Sequence, residues 1–387
     1  METRNRVLLA VGLLLVAFNF RPSITSIPPV IEIIRADVQL GYTAVSLLTT
    51  IPTFLIGLFA FVAAPTARRV GRERAIFWAV VLITLSTGLR LWGSNVVVLF
   101  GTTVLVGAGI AVSQALVPAV VLDYFSDRAA FVTGLYTASL GLGAAVAAGA
   151  TAVLADVLGS WPAALAFWAI PGAIAAAVFV PIVRSETTSS PDDSTAKQLP
   201  WSQSGAWILA AFFSLDNVLY FSQITWIAPR YVELGWNAER AGVLLTLFIL
   251  AQMAGSLGIS ALGDRWRDRR PWLVLTIALN AIGLVGIVWF PLVSPWGWAL
   301  LAGVGLGGLF ALILTLPVDL AQDAEVADRL TPMMLGVGYI VGSTGPLAIG
   351  WVRDSVGSYE PAFVGLIVLA IGMLAMTGWF RPSRTVS

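Results

Sequence analysis

Stretches of about twenty apolar residues, parted by short polar turns, recur along this chain and limit its fold more than any other feature. In hydrocarbon, every backbone N–H and C=O must be satisfied inside the protein, so runs of this length and continuity are spanning helices. A window of about 19 residues predicts twelve of them, over 7–30, 43–65, 75–92, 96–122, 129–155, 161–182, 205–229, 238–260, 272–290, 296–320, 331–352 and 361–380. Composition agrees. Of 387 residues, 58% are apolar and 11% charged, and the mean hydropathy is +0.88. A soluble domain carries about 25% charged residues, so the chain is predicted to be an all-α, multi-pass membrane protein. Arg4 and Arg6 before the first run resemble a signal peptide, but the run continues through Arg21 without a small-residue cleavage site and reads as a retained helix.

The longest polar interruption, rich in Ser, Thr, Asp and Pro, divides the helices six and six. It predicts an N-terminal bundle over 1–183, a flexible linker over 184–204 and a C-terminal bundle over 205–387. Basic residues gather in the segments that share a side with the termini; the other side holds only Arg35, Arg90, Arg230, Arg240 and Arg353. The positive-inside rule then places both termini in the cytoplasm of a cell-membrane protein.

The halves repeat. Ile24-Thr25-Ser26-Ile27-Pro28-Pro29 recurs as Ile224-Thr225-Trp226-Ile227-Ala228-Pro229, and Leu40-Gly41-Tyr42 as Leu234-Gly235-Trp236. Gly107-Ala108-Gly109 matches Gly303-Val304-Gly305, and Gly159-Ser160-Trp161 matches Gly357-Ser358-Tyr359. Parallel repeats of this kind place a substrate site between the halves near the bilayer midplane. Helices 1, 4, 7 and 10 are expected around it, with 3, 6, 9 and 12 outside.

Arg21 stands well inside the first apolar run and is followed at once by Pro22. A guanidinium does not shed its proton, and at membrane depth it costs several kcal/mol, which marks a functional site. Its planar fork suits a small anion or a nitro group. Asn19, Gln114, Tyr136, Tyr220, Gln223 and Tyr339 are the other candidate solute-binding residues. Asp216 shares a predicted helix face with Tyr220 and Gln223, at i+4 and i+7. It is the candidate proton carrier or counter-ion, expected within ion-pairing range of Arg21 when the site is empty. Trp226 reads as an interfacial anchor or as a cap on the path, Asn280 as a local interhelical hydrogen bond, and Asp123, Asp127 and Arg128 as loop electrostatics.

Several classes are excluded. A net charge of +1 offers no basic surface for nucleic acid. With no Cys and no His, the chain lacks the thiolate, the usual general base and the commonest metal ligand. The remaining carboxylates are scattered, so neither an enzyme nor a metal or cofactor site is expected. The partners implied are a small-molecule solute, the lipid bilayer and protons, with the chain acting as a monomer.

Two parallel sixfold repeats resemble the major facilitator superfamily. The loop Ala64-Pro65-Thr66-Ala67-Arg68-Arg69-Val70-Gly71-Arg72-Glu73-Arg74 is similar to the superfamily's basic loop, with Arg68 where an Asp is usual. Its counterpart, Leu262-Gly263-Asp264-Arg265-Trp266-Arg267-Asp268, keeps the Asp. The resemblance implies that Arg69, Gly71, Arg72, Asp264 and Arg265 belong to gating loops. Asn19-Phe20-Arg21-Pro22-Ser23-Ile24-Thr25-Ser26-Ile27 and Leu47-Leu48-Thr49-Thr50-Ile51-Pro52 are similar to the cyanate permease and nitroimidazole transporter family. What that implies is secondary transport of a small, often anionic solute by alternating access. The alternative is a proton-linked exporter of drugs or metabolites. Such exporters usually carry an Arg in helix 4, where this chain has Thr103, and a Gly-Pro pair late in helix 5, where it has Ala147-Ala148.

Overall fold

The computed structural model describes residues 3–61, 71–184, 199–263 and 268–381. The expected spanning helices all appear. α1 (residues 3–37) is broken into Thr3–Asn19, Pro22–Thr25, a 3-10 turn at Pro28–Val30, and Ile31–Asp37. Then follow α2 (Tyr42–Ala60), α3 (Arg72–Leu89), α4 (Val96–Phe125), α5 (Ala129–Val157) and α6 (Trp161–Phe167 with Ala169–Arg184). The second half holds α7 (Ser204–Glu233), α8 (Ala238–Gly263), α9 (Arg270–Trp289), α10 (Pro295–Leu320), α11 (Ala324–Gly342 with Thr344–Val356) and α12 (Glu360–Thr377). The breaks in α1 follow its prolines. Pro22 has no N–H to give, so the helical ladder is interrupted there; Arg21 keeps helical backbone angles (φ −104°, ψ −32°) but lies at the break, as the residue before the next piece.

The repeated glycines explain how each half packs. A Cβ on Gly107 would lie 2.8 Å from Pro52 Cα of α2, and one on Gly109 2.6 Å from Ile83 Cγ1 of α3. In the second half a Cβ on Gly303 would lie 2.4 Å from the Phe248 carbonyl of α8, and one on Gly305 2.4 Å from Asn280 N of α9. Matching glycines thus seat matching neighbours, because small residues let spanning helices approach closely. Gly159 and Gly357, at φ +59° and +78°, make the left-handed turns into α6 and α12.

α3, α6, α9 and α12 pack mainly within their own halves. The halves meet along α2 with α11 and α5 with α8, while the outer part of α1 wedges against α7 and α8. On the face away from the termini this contact is polar. Asp354 of α11 accepts from the Tyr42 and Thr43 N–H groups at 2.8 and 2.7 Å and from Thr43 Oγ1 at 2.7 Å, capping α2 from the other half. The Tyr359 hydroxyl also crosses to donate to Glu32 at 3.3 Å; Tyr42 donates to the same carboxylate at 3.3 Å from within the first half, and Arg353 pairs with Glu233 at 3.1 Å within the second. Trp226 is fully buried beneath, donating to the Pro346 carbonyl at 2.9 Å, with its ring near Tyr42 and Tyr359. It packs inside the protein beneath these contacts and does not face lipid as an interfacial anchor would.

A hydrogen bond to a charged acceptor contributes about 1.5–3 kcal/mol, so loosening this latch should be measurable. Ser26 lies on α1 between Arg21 and Glu32 and is fully buried. In a Ser26→Cys protein, Asp354→Ala is expected to speed labelling by a membrane-impermeant thiol reagent, applied from the latch face, by about tenfold. An unchanged rate would show that Asp354 does not hold this face shut.

Candidate functional site

The α1 break presents Arg21 to the second half. The residue is 7% exposed. Its Nε has no hydrogen-bond partner, and no carboxylate of the described residues pairs with it. The guanidinium carbon stands 6.0 Å from the Tyr220 ring centre and 5.9 Å from that of Phe221, both on α7. These are the outer reach of a cation–π contact. Tyr339 of α11 is buried edge-on to Phe213, at 5.7 Å between centroids. Its hydroxyl lies within electrostatic range of Arg21 and meets the side chain of Gln114 on α4. Gln114 Oε1 has no partner of its own. Arg21, Gln114, Tyr220 and Tyr339 therefore converge from four helices of both halves.

Three expected members stand elsewhere. Asn19 ends the first piece of α1, so it shares no helical register with Arg21. Its amide donates to the Leu15 carbonyl at 2.7 Å, and its Oδ1 lies near Gly172 of α6. Gln223 is fully buried in a reciprocal amide pair with Asn280 of α9, at 3.2 and 3.5 Å. Asn280 also donates to the Ala302 carbonyl at 3.2 Å, the interhelical bond expected of it. Gln223 and Tyr220 diverge because three residues of helix turn a side chain by about 300°, leaving them some 60° apart. Tyr136 of α5 is half-buried and packs against the apolar core.

Asp216 is 1% exposed, and its Oδ1 has no hydrogen-bond partner. The expected pair with Arg21 is not formed: among the described residues neither side chain makes a salt bridge. The α1 break aims Arg21 at Tyr220 and Phe221, and the Tyr339 hydroxyl lies within electrostatic range of both charges.

Of the loop residues, Arg69, Asp264 and Arg265 lie outside the described residues. Gly71 enters α3 at φ +89°, and Arg72 forms an ion pair with Asp123 at the end of α4. The second half repeats this: Arg269 holds Asp319 at the end of α10 at 3.0 Å. Asp123 is thus a partner of the basic loop and not merely loop electrostatics. Arg90, counted among the basic residues of the side away from the termini, does not face solvent there. It is fully buried instead, its Nη1 donating to the Ser23 carbonyl at 2.6 Å and its Nη2 to Thr103 Oγ1 at 3.4 Å.

A buried, uncompensated guanidinium beside phenol and amide groups favours a small anion or a nitro group, because a charged donor without a partner is stabilised by any acceptor that reaches it. Comparison with known proteins bears on the family. The model of the Major Facilitator Superfamily matches residues 9–329. The cyanate transport protein CynX of Escherichia coli (strain K12) is 31% identical over 96% of this chain and 97% of its own length. The 2-nitroimidazole transporter of the same organism is 31% identical over 96% of this chain and 94% of its own. A bacterial homologue of the human lysosomal transporter Spinster, solved in an inward-facing and unoccupied conformation, superposes with a TM-score of 0.76. The alignment covers 98% of this chain and 97% of that one at 16% identity, a likeness of fold alone. The chain belongs to the major facilitator superfamily and is a relative of its cyanate and nitroimidazole transporters.

Proposed function

We propose that the protein is a secondary active transporter that carries a small anion, of the cyanate, nitrate or nitro-compound kind, across the cell membrane by alternating access. The observation that carries this is Arg21: a buried guanidinium without a counter-ion, at a helix break, facing Tyr220 and Tyr339 of the other half. The related cyanate and 2-nitroimidazole transporters support the size and polarity of such a solute. The two halves supply the two sides of one site within a single chain, so a monomer suffices. The excess of Arg and Lys on the face of the termini supports a cytoplasmic position for both ends. The latch at Asp354 then closes the external face.

Asp216 supports proton coupling. It is a buried carboxylate inside a spanning helix with no salt-bridge partner among the described residues, the kind of residue that marks a proton relay. Tyr339 is the group through which that proton and the charge on Arg21 would sense each other. The reading is tested by uptake of radiolabelled cyanate, nitrate and 2-nitroimidazole into proteoliposomes. Saturable uptake of one of them, competed by small anions and not by organic cations, is expected. Competition by organic cations alone would move the protein to the exporter class.

A further inference from the structure

Arg90 follows α3 in a short 3-10 turn and is the one charged side chain among the described residues with no measurable exposure. Its neighbours are neutral: the Ser23 carbonyl, and the Thr103 hydroxyl, which itself donates to the Leu99 carbonyl at 2.8 Å. Its Nε has no partner, and no carboxylate of the described residues pairs with it. A buried cation is ordinarily held by a carboxylate, since the attraction offsets part of the desolvation cost. A neutral amide would serve as a mere tether at far lower cost.

Its position supplies a reason for the charge. Ser23 is two residues beyond Arg21, inside the broken part of α1. In an unbroken helix the Ser23 carbonyl would accept from Ile27 N–H, but that group turns to the Ile24 carbonyl at 3.3 Å. Arg90 takes the vacant place, and the Ser23 hydroxyl is joined to Thr87 of α3 at 2.9 Å. The segment that aims Arg21 is therefore fixed to α3 by a guanidinium whose own charge is not cancelled.

We propose that Arg90 is a positioning residue of the transport path: without touching the solute, it holds the α1 break and adds a second uncompensated positive charge behind Arg21, making the site selective for anions. The proposal deepens the anion-transport reading and rests on it for the nature of the solute.

The test needs no identified solute, because the chain has no cysteine. A single thiol is placed at the half-buried Tyr220 (Tyr220→Cys), and its rates with an anionic and a cationic methanethiosulfonate reagent are measured. Their ratio, relative to that for a free thiol in solution, reports the local potential. Arg90→Gln is expected to lower the ratio by at least about tenfold, because the lost unit charge favours the anionic reagent and opposes the cationic one, so its potential enters the ratio twice. Arg90→Lys is expected to restore it to within about threefold. Equal ratios with and without the Arg90→Gln substitution overturn the proposal. Should Arg90→Gln not fold, the folded Arg21→Gln, Asp216→Asn protein serves, with Arg90 left in place. There the anionic reagent should remain favoured, and a ratio equal to that in free solution overturns the proposal. Failure of the anion reading would look different: no small anion would be transported, while the ratio would still follow Arg90.

Discussion

Arg21→Lys keeps the charge at the α1 break and is expected to lose about 100-fold in uptake at sub-saturating solute, roughly 3 kcal/mol, while folding like the wild type. A lysine ammonium is a point charge on a flexible stem, whereas the guanidinium presents a flat fork. In the structure that fork is free: Nε has no partner and the ring faces of Tyr220 and Phe221 flank it without hydrogen bonds. Folding and uptake are to be measured on the same preparation by thermal unfolding and by initial rates. Wild-type uptake by a well-folded Arg21→Ala would remove Arg21 from the site.

The second large effect concerns Asp216. In proteoliposomes with an imposed proton gradient, the wild type is expected to accumulate solute above its equilibrium level. Asp216→Asn, which keeps the shape and cannot ionise, is expected to show downhill flux only. Equal accumulation by both would place the coupling elsewhere. The route differs from direct release of a paired arginine, because Arg21 and Asp216 do not form an ion pair in this structure. The link between them is Tyr339, within range of both charges. Tyr339→Phe should accordingly weaken gradient-driven accumulation while leaving an anion-binding site at Arg21.

Much of the fold was legible in the sequence, because lipid forces long apolar runs and the two halves carry matching glycines. Gly107 and Gly303, legible as matching repeats, prove to seat α2 and α8. Arg21 was legible because a charge inside an apolar run has few innocent explanations. Arg90 was not. It lies where a hydropathy window ends, so the sequence reads alike for an exposed loop residue and for a side chain turned inward between α1 and α4. Gln223 and Asn19 misled for a related reason. A polar residue on a spanning helix must face protein, yet only packing decides between the central path and the interior of one bundle. The latch escaped notice because its partners, Tyr42 and Asp354, are far apart in the chain and meet only where the two halves touch.

The most direct test of the central claim is a thermal-shift titration of purified protein with cyanate, nitrate and small carboxylates, for wild type and Arg21→Gln. A ligand that binds only the folded state stabilises it by about 2.7 kcal/mol at a hundredfold excess over its Kd. At least one of these anions is predicted to raise the unfolding temperature of the wild type, with the shift lost in Arg21→Gln. Equal shifts in both proteins, or shifts with organic cations in place of anions, would contradict the account.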